Sequence, residues 1–226
     1  MAEIAYQRYI QHDNTMKKIR RNAIAAIAIL VLSFGIWVGW KAPIMIGQSI
    51  PKANGIVFAD AKPIADFELV DHHGVTFDLD RLLGYWSLIY FGYTHCPDLC
   101  PMALSQLGQM SKEFQIKRGA SLQYIFVSVD PDRDTVNKLK SYVKFFSPDL
   151  IGLTGSAEQL EKLASQLAVG FRLQSRLDTN YLVDHSNTIL LINPTGEFQA
   201  VLSAPHTANR LAADMRAISE WHLDLN

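Results

Sequence analysis

Apolar residues form three kinds of run along this chain, and each predicts a different element. Ala23 to Trp40 is one stretch without a single charge. As a helix it extends roughly 27 Å at about 1.5 Å per residue, close to the ~30 Å hydrocarbon core of a bilayer. It is apolar on every face, which suits lipid better than one side of a protein core. Trp86–Tyr93 and Leu122–Val129 are shorter and nearly continuous, the pattern of strands buried on both faces. The third kind recurs at helical spacing. Leu104, Leu107, Met110 and Phe114 make one such face, and Val136, Leu139, Val143 and Phe146 a second. Leu160, Leu163 and Leu167 make a third, and Leu211, Met215 and Ile218 a fourth. Met110 and Met215 sit among leucines and are read as core filling.

Smaller signals complete the order. Asp66–Asp71 and Val75–Leu79 predict two short strands around a turn at Gly74. Ser156 and Gln159 have the spacing of a capping box, with Gly170 as the stop of the helix they begin. Thr188–Asn193 and Glu197–Leu202, joined by Pro194-Thr195-Gly196, predict a hairpin. The alternation of strands and helices implies an α/β domain with a mostly parallel central sheet and helices on both faces. The hairpin adds antiparallel strands beside it, so the sheet is mixed. A cysteine pair directly after the first central strand gives this frame a thioredoxin-like look.

The polar residues flanking the long apolar run set its orientation. Lys17, Lys18, Arg20 and Arg21 crowd one end, while Trp37, Trp40 and Lys41 mark the other. The positive-inside bias places the N-terminus in the cytoplasm and everything after Lys41 outside. A cleaved secretory signal is the competing reading. It usually has a shorter apolar region and a small-x-small cleavage site, for which Gly39-Trp40-Lys41-Ala42 is a poor match. Glu3 and Asp13 argue against a mitochondrial transit peptide. The expected organisation is a cytoplasmic segment over 1–21, a transmembrane anchor over 22–41, a tether over 42–62 and a thioredoxin-like domain over 63–226. The expected place is a bacterial inner membrane, with the domain in the periplasm, where disulfides are permitted. The formal charge is -1, without the basic stripe that a nucleic-acid binder carries.

The chain has only two cysteines, Cys96 and Cys100, separated by three residues. Two soft sulfurs at this spacing can close a disulfide or hold a soft metal such as Cu(I). Pro97 and Pro101 follow them, and proline disfavours helical dihedrals in the residue before it. Both cysteines are therefore expected to be extended, with Cys100 capping a helix that starts at Pro101. A purely structural disulfide is the plainer alternative, but so small a loop stabilises little.

A nitrogen donor beside two thiolates would widen the range of copper states held. His12 lies on the cytoplasmic side. His72 and His73 read as a solvated turn, His206 as surface, and His222 as suited to a helix end. His95 adjoins Cys96, but neighbours in an extended segment point in opposite directions. His185 is the candidate: it immediately precedes the hairpin strand, whose start faces the cysteine loop in a thioredoxin-like sheet, and the plainer reading is a histidine that satisfies its own loop. Asp184 is either an orienter for an imidazole or a turn-former.

Three segments carry a resemblance: YFGYTHCPDLCP at 90–101, VSVDPDRDT at 127–135 and VDHSNTILLINPTGEF at 183–198. Together they resemble the signatures of the Sco/SenC family of copper-delivery factors for cytochrome c oxidase assembly, over roughly residues 64–220. The resemblance implies copper, Cu(I) or Cu(II), as the bound metal and Cys96, Cys100 and His185 as its ligands. It implies cytochrome c oxidase subunit II as partner, with another periplasmic copper chaperone as a donor. Asp130 and Asp134 correspond to acidic residues that the family keeps. Asp130 is a candidate for a supporting role around the metal, and Asp134 reads as a helix cap. Leu190-Leu191 departs from a Tyr-Leu pairing common in the family, which touches packing only. The rival is an enzyme, a thiol-disulfide oxidoreductase in which Cys96 attacks and Cys100 resolves. Ordinary reductases of this fold have two residues between the cysteines and a cis-proline where this chain has its His185 segment. Both differences favour copper, with a dual role of reduction followed by metallation left open.

Overall fold

A computed structural model describes residues 2–41, 49–116, 120–173 and 181–225. It divides into two compact units, residues 1–47 and 48–226. The first holds a single helix, α1 (Ala2–Lys41). Its stretch Met16–Trp37 is long and apolar enough to cross a bilayer, the one such helix among the described residues. Side chains from Arg20 to Trp37 are exposed, as the absence of a polar face predicts.

The second unit is built on an eight-stranded sheet. Its strands are β1 (Gly55–Pro63), β2 (Glu68–Asp71), β3 (Thr76–Asp78), β4 (Tyr85–Gly92), β5 (Ser121–Ser128), β6 (Leu150–Thr154), β9 (Thr188–Ile192) and β10 (Glu197–Ser203). A separate two-stranded ribbon is made by β7 (Phe171–Leu173) and β8 (Val183–His185). The helices are α2 (Leu99–Glu113), α3 (Val136–Phe146), α4 (Ala157–Gln166) and α5 (Ala208–Leu225). The sheet order is β1-β10-β9-β4-β5-β6-β2-β3. Only β4/β5 and β5/β6 pair in parallel, and every other neighbour is antiparallel. The sheet is mixed and flanked by helices, the thioredoxin-like arrangement, with less parallel pairing than the alternation suggested.

The centre of the sheet is apolar on both sides. Leu88, Ile89, Tyr90 and Phe91 of β4 are buried, as are Ile125, Phe126 and Val127 of β5. Met110 and Met215 are buried in the same core. Gly108 of α2 lies where a Cβ would meet the Phe146 carbonyl oxygen at 2.7 Å, so the missing side chain is what lets α2 reach the end of α3.

Several local expectations are corrected. Gly55–Pro63, within and just beyond the expected tether over 42–62, is an edge strand paired with β10. Its side chains alternate poorly between half-buried and exposed, so no period marks it. Gln199 Nε2 donates to the Phe58 carbonyl and helps hold that edge. The cap of α3 is Thr135, whose hydroxyl accepts from Lys138 N, and Asp134 is not the cap. Ser156 caps α4, but Gln159 Oε1 accepts from Glu68 N and so ties α4 to the start of β2. The helix is stopped by Ala168, at φ 55, before Gly170 is reached. An L-residue pays about 1–2 kcal/mol for that left-handed conformation, whereas glycine does not. Ala168→Gly is therefore expected to stabilise the fold by about 1 kcal/mol, read as a higher midpoint in chemical denaturation of the full-length chain.

Candidate metal centre

The cysteine loop leaves the buried end of β4 and enters α2. The helix begins at Leu99 with Asp98 as its N-cap, so Cys100 lies inside the first turn. This corrects the expectation of an extended Cys100. Proline in the first turn lacks only an amide that the helix would leave unpaired. Cys100 is fully buried and Cys96 is 9% exposed, and both are free thiols. Cys96 borders a cleft of about 240 Å³ with Tyr93, Leu99, Leu182 and His185.

The ribbon brings the imidazole to the sulfurs. His185 Nε2 stands 3.4 Å from Cys100 Sγ. The donor atoms of Cys96, Cys100 and His185 all lie within 4.8 Å of one another. His185 Nδ1 is 3.2 Å from the Ser186 carbonyl oxygen. A carbonyl only accepts, so Nδ1 carries the proton and Nε2 keeps its lone pair toward the sulfurs. That is the tautomer a metal ligand needs. The ring is flanked edge-on by Tyr90 and Tyr93, each with its centroid 5.9 Å away. The Tyr90 hydroxyl donates to Asn187 Oδ1 at 3.1 Å, which holds the chain just after His185.

The two sulfurs differ electrically. The Cys100 thiol donates to Cys96, the largest cause lowering the Cys96 thiol to about 3 against the opposing effect of burial. Cys100 itself is pushed up, first because it supplies that hydrogen bond and then because it is buried. The pair is thus biased toward a thiolate on Cys96 at the cleft and a thiol on Cys100 beneath it. Burial and the nearby sulfurs also raise the Tyr90 hydroxyl, which stays a neutral donor.

Asp184 is exposed at the rim of the cleft, and the Ser186 carbonyl supplies a contact to His185 Nδ1. Asp130 is buried and accepts from Arg133 Nε and from the Tyr181 hydroxyl, without touching the imidazole. Asp134 is buried too, accepting from Thr94 N at 2.8 Å, from the Thr94 hydroxyl and from Ser128. His95 groups with Asp130 and Asp134 and not with the sulfurs. The Lys138 ammonium sits 3.0 Å from His95 Nδ1 and 3.4 Å from Asp134, filling that place with a cation. His206 is half-buried, against the surface expected of it. Its Nε2 donates to the Asn187 carbonyl at 3.2 Å, and burial lowers its pKa.

Gly92 is a site residue that the hydrophobic pattern does not reveal. A Cβ there would stand 2.6 Å from Cys100 Sγ and 2.9 Å from Phe126. Gly92→Ala is expected to cost about 1–3 kcal/mol by overpacking and to displace the sulfur. The check is paired: denaturation midpoint and metal affinity fall together in this variant.

Comparison with known proteins agrees with the geometry. A 36% identical relative is the mitochondrial SCO2 homolog of Bos taurus, matched over 184 residues, 80% of this chain and 69% of that protein. The crystal structure of Arabidopsis thaliana ScoI with copper bound is 34% identical, with a TM-score of 0.64, covering 70% of this chain and 98% of that one. Bradyrhizobium japonicum ScoI with copper bound is 33% identical, with a TM-score of 0.59 over 68% and 98% of the two chains. The SCO1/SenC family model matches residues 59–220, a span holding both cysteines, His185 and the whole ribbon between them, and the chain belongs to that family.

Proposed function

We propose that this chain binds one copper ion through Cys96, Cys100 and His185 and delivers it to the dinuclear copper centre of cytochrome c oxidase subunit II. The observation that carries the reading is the 3.4 Å approach of His185 Nε2 to Cys100 Sγ, with the lone pair on that nitrogen. Two sulfurs and an imidazole fit copper: thiolates suit Cu(I), and the nitrogen makes Cu(II) tolerable. Three donors leave a coordination position open to an incoming ligand. The copper here is cargo, and the chain's own residues control its exchange. Cys96 offers a thiolate at the cleft. Cys100 must give up its proton for the metal to settle, so loading releases a proton. Ser186 holds the imidazole in the binding tautomer.

The anchor helix supports a membrane-tethered protein. On the charge rule the domain faces the periplasm of a bacterial inner membrane, where another copper chaperone serves as donor. Tethering confines the carrier to the same surface as a membrane-bound oxidase, which raises their encounter rate.

A second reading has its own support in the lowered Cys96 thiol. As a reductase, the Cys96 thiolate attacks a disulfide on the client, forming a mixed disulfide and releasing one client thiolate. Cys100 then gives up its proton to the released client thiolate, attacks Cys96, frees the second client thiolate and leaves a Cys96–Cys100 disulfide. Complementation separates the two. His185→Ala with both cysteines intact is expected to fail in restoring oxidase assembly to cells lacking this protein. Full restoration would move the function to thiol exchange.

A further inference from the structure

The loop between β5 and α3 holds both halves of the metal centre at once. Its two buried carboxylates, Asp130 and Asp134, are four residues apart and face opposite partners. Asp134 accepts from the amide and the hydroxyl of Thr94, two residues before Cys96. Asp130 accepts from the hydroxyl of Tyr181, four residues before His185. Arg133 braces the arrangement. Its Nε donates to Asp130, and its guanidinium lies 3.5 Å from the Tyr181 ring centroid and 5.8 Å from that of Tyr93. Tyr93 in turn packs edge-on against His185.

The need for such a brace follows from the ribbon. β7 and β8 pair over three residues, Phe171 with His185, Arg172 with Asp184 and Leu173 with Val183, outside the main sheet. An isolated two-stranded hairpin of this size is not stable in water by itself. The main fold fixes where His185 stands: Val183 of β8 is buried in the core, Tyr90 holds Asn187 just after β8, and the Tyr181 hydroxyl on Asp130 is a tie on the approach to β8.

We infer that Asp130, Arg133 and Tyr181 are positioning residues: together with Asp134 they form a bracket that sets the distance between the sulfur pair and the His185 imidazole. The inference rests on the proposed ligand set and deepens it. No described contact joins Tyr181 to a donor atom, and its route to the metal runs through the ribbon that carries His185. Removing its hydroxyl loosens the approach to β8, so the nitrogen spends part of its time out of reach and copper affinity falls accordingly.

A double-mutant cycle on the full-length chain in detergent tests this. The probe is Cu(I), titrated in competition with a chromophoric Cu(I) chelator, since two sulfurs keep binding measurable in every variant. Tyr181→Phe is expected to lower affinity about tenfold, the worth of one hydrogen bond to a charged group. In the His185→Ala background the same change is expected to alter affinity less than about twofold. Asp130→Asn follows the same pattern. Equal losses in both backgrounds, or no loss in either, would overturn the bracket. If His185→Ala alone leaves both Cu(I) and Cu(II) affinity at the wild-type level, the ligand assignment itself has failed, and the bracket falls with it.

Discussion

Full-length chain carrying His185→Ala loses more than about 100-fold in Cu(II) affinity, beyond the 10–100-fold that disturbing an outer contact of a ligand costs. The reason is the donor balance. With the imidazole gone, two sulfurs remain, and Cu(II) prefers a site with nitrogen. Cu(I) affinity falls less, because thiolates carry more of it. The absorption band from sulfur to Cu(II) weakens or disappears. Disulfide formation between Cys96 and Cys100 survives, since neither sulfur depends on His185 for its place: Cys100 is fixed in α2 and Cys96 in the loop tied by Thr94 to Asp134. Competition titration with each copper state checks the ratio. Equal losses for both states would mean that the variant had damaged the fold and not the donor set.

In the reduced, metal-free chain a neutral alkylating reagent modifies Cys96 and leaves Cys100 untouched. The sign follows from the two shifts. Cys96 is lowered to about 3, so it is a thiolate throughout the range from pH 8 to pH 5, and its rate stays nearly flat. An ordinary thiol with a pKa near 8.5 slows by about three orders of magnitude over the same span. Cys100 is pushed up and fully buried, so it stays protonated and out of reach. Cys100→Ala removes the largest cause of the Cys96 shift and is expected to restore a steep pH dependence to Cys96. Cys96→Ser abolishes alkylation and metal binding together. Mass spectrometry of the modified chain reads the site, and equal labelling of both cysteines with a pKa near 8.5 would contradict the asymmetry.

The hydrophobic pattern carried the centre of the fold because that centre is buried on both faces. β4 and β5 lie where Trp86–Tyr93 and Leu122–Val129 placed them, within one residue. The helices followed from their leucine and methionine faces. β1 escaped because an edge strand with one half-buried face alternates weakly. The β7/β8 ribbon escaped because three-residue strands leave no period to read. At the site, the cysteines announced themselves by rarity, while His185 was singled out by its place before the hairpin strand and made firm by the family resemblance, since no local pattern says that a residue 85 positions from Cys100 folds onto it. Asp134 shows the limit from the other side. A carboxylate before Thr135 and a helix has the sequence of a cap, and only the fold reveals that it turns inward to Thr94. Gly92 and Tyr181 matter through what touches them, which a linear sequence does not display.

X-ray absorption at the copper edge, recorded on the Cu(I)-loaded full-length chain and on its His185→Ala variant, counts the atoms around the metal. Two sulfurs and one imidazole nitrogen in the parent, with the nitrogen missing from the variant, is the predicted pair of spectra. Sulfur-only scattering in the parent, unchanged by the substitution, would contradict the account.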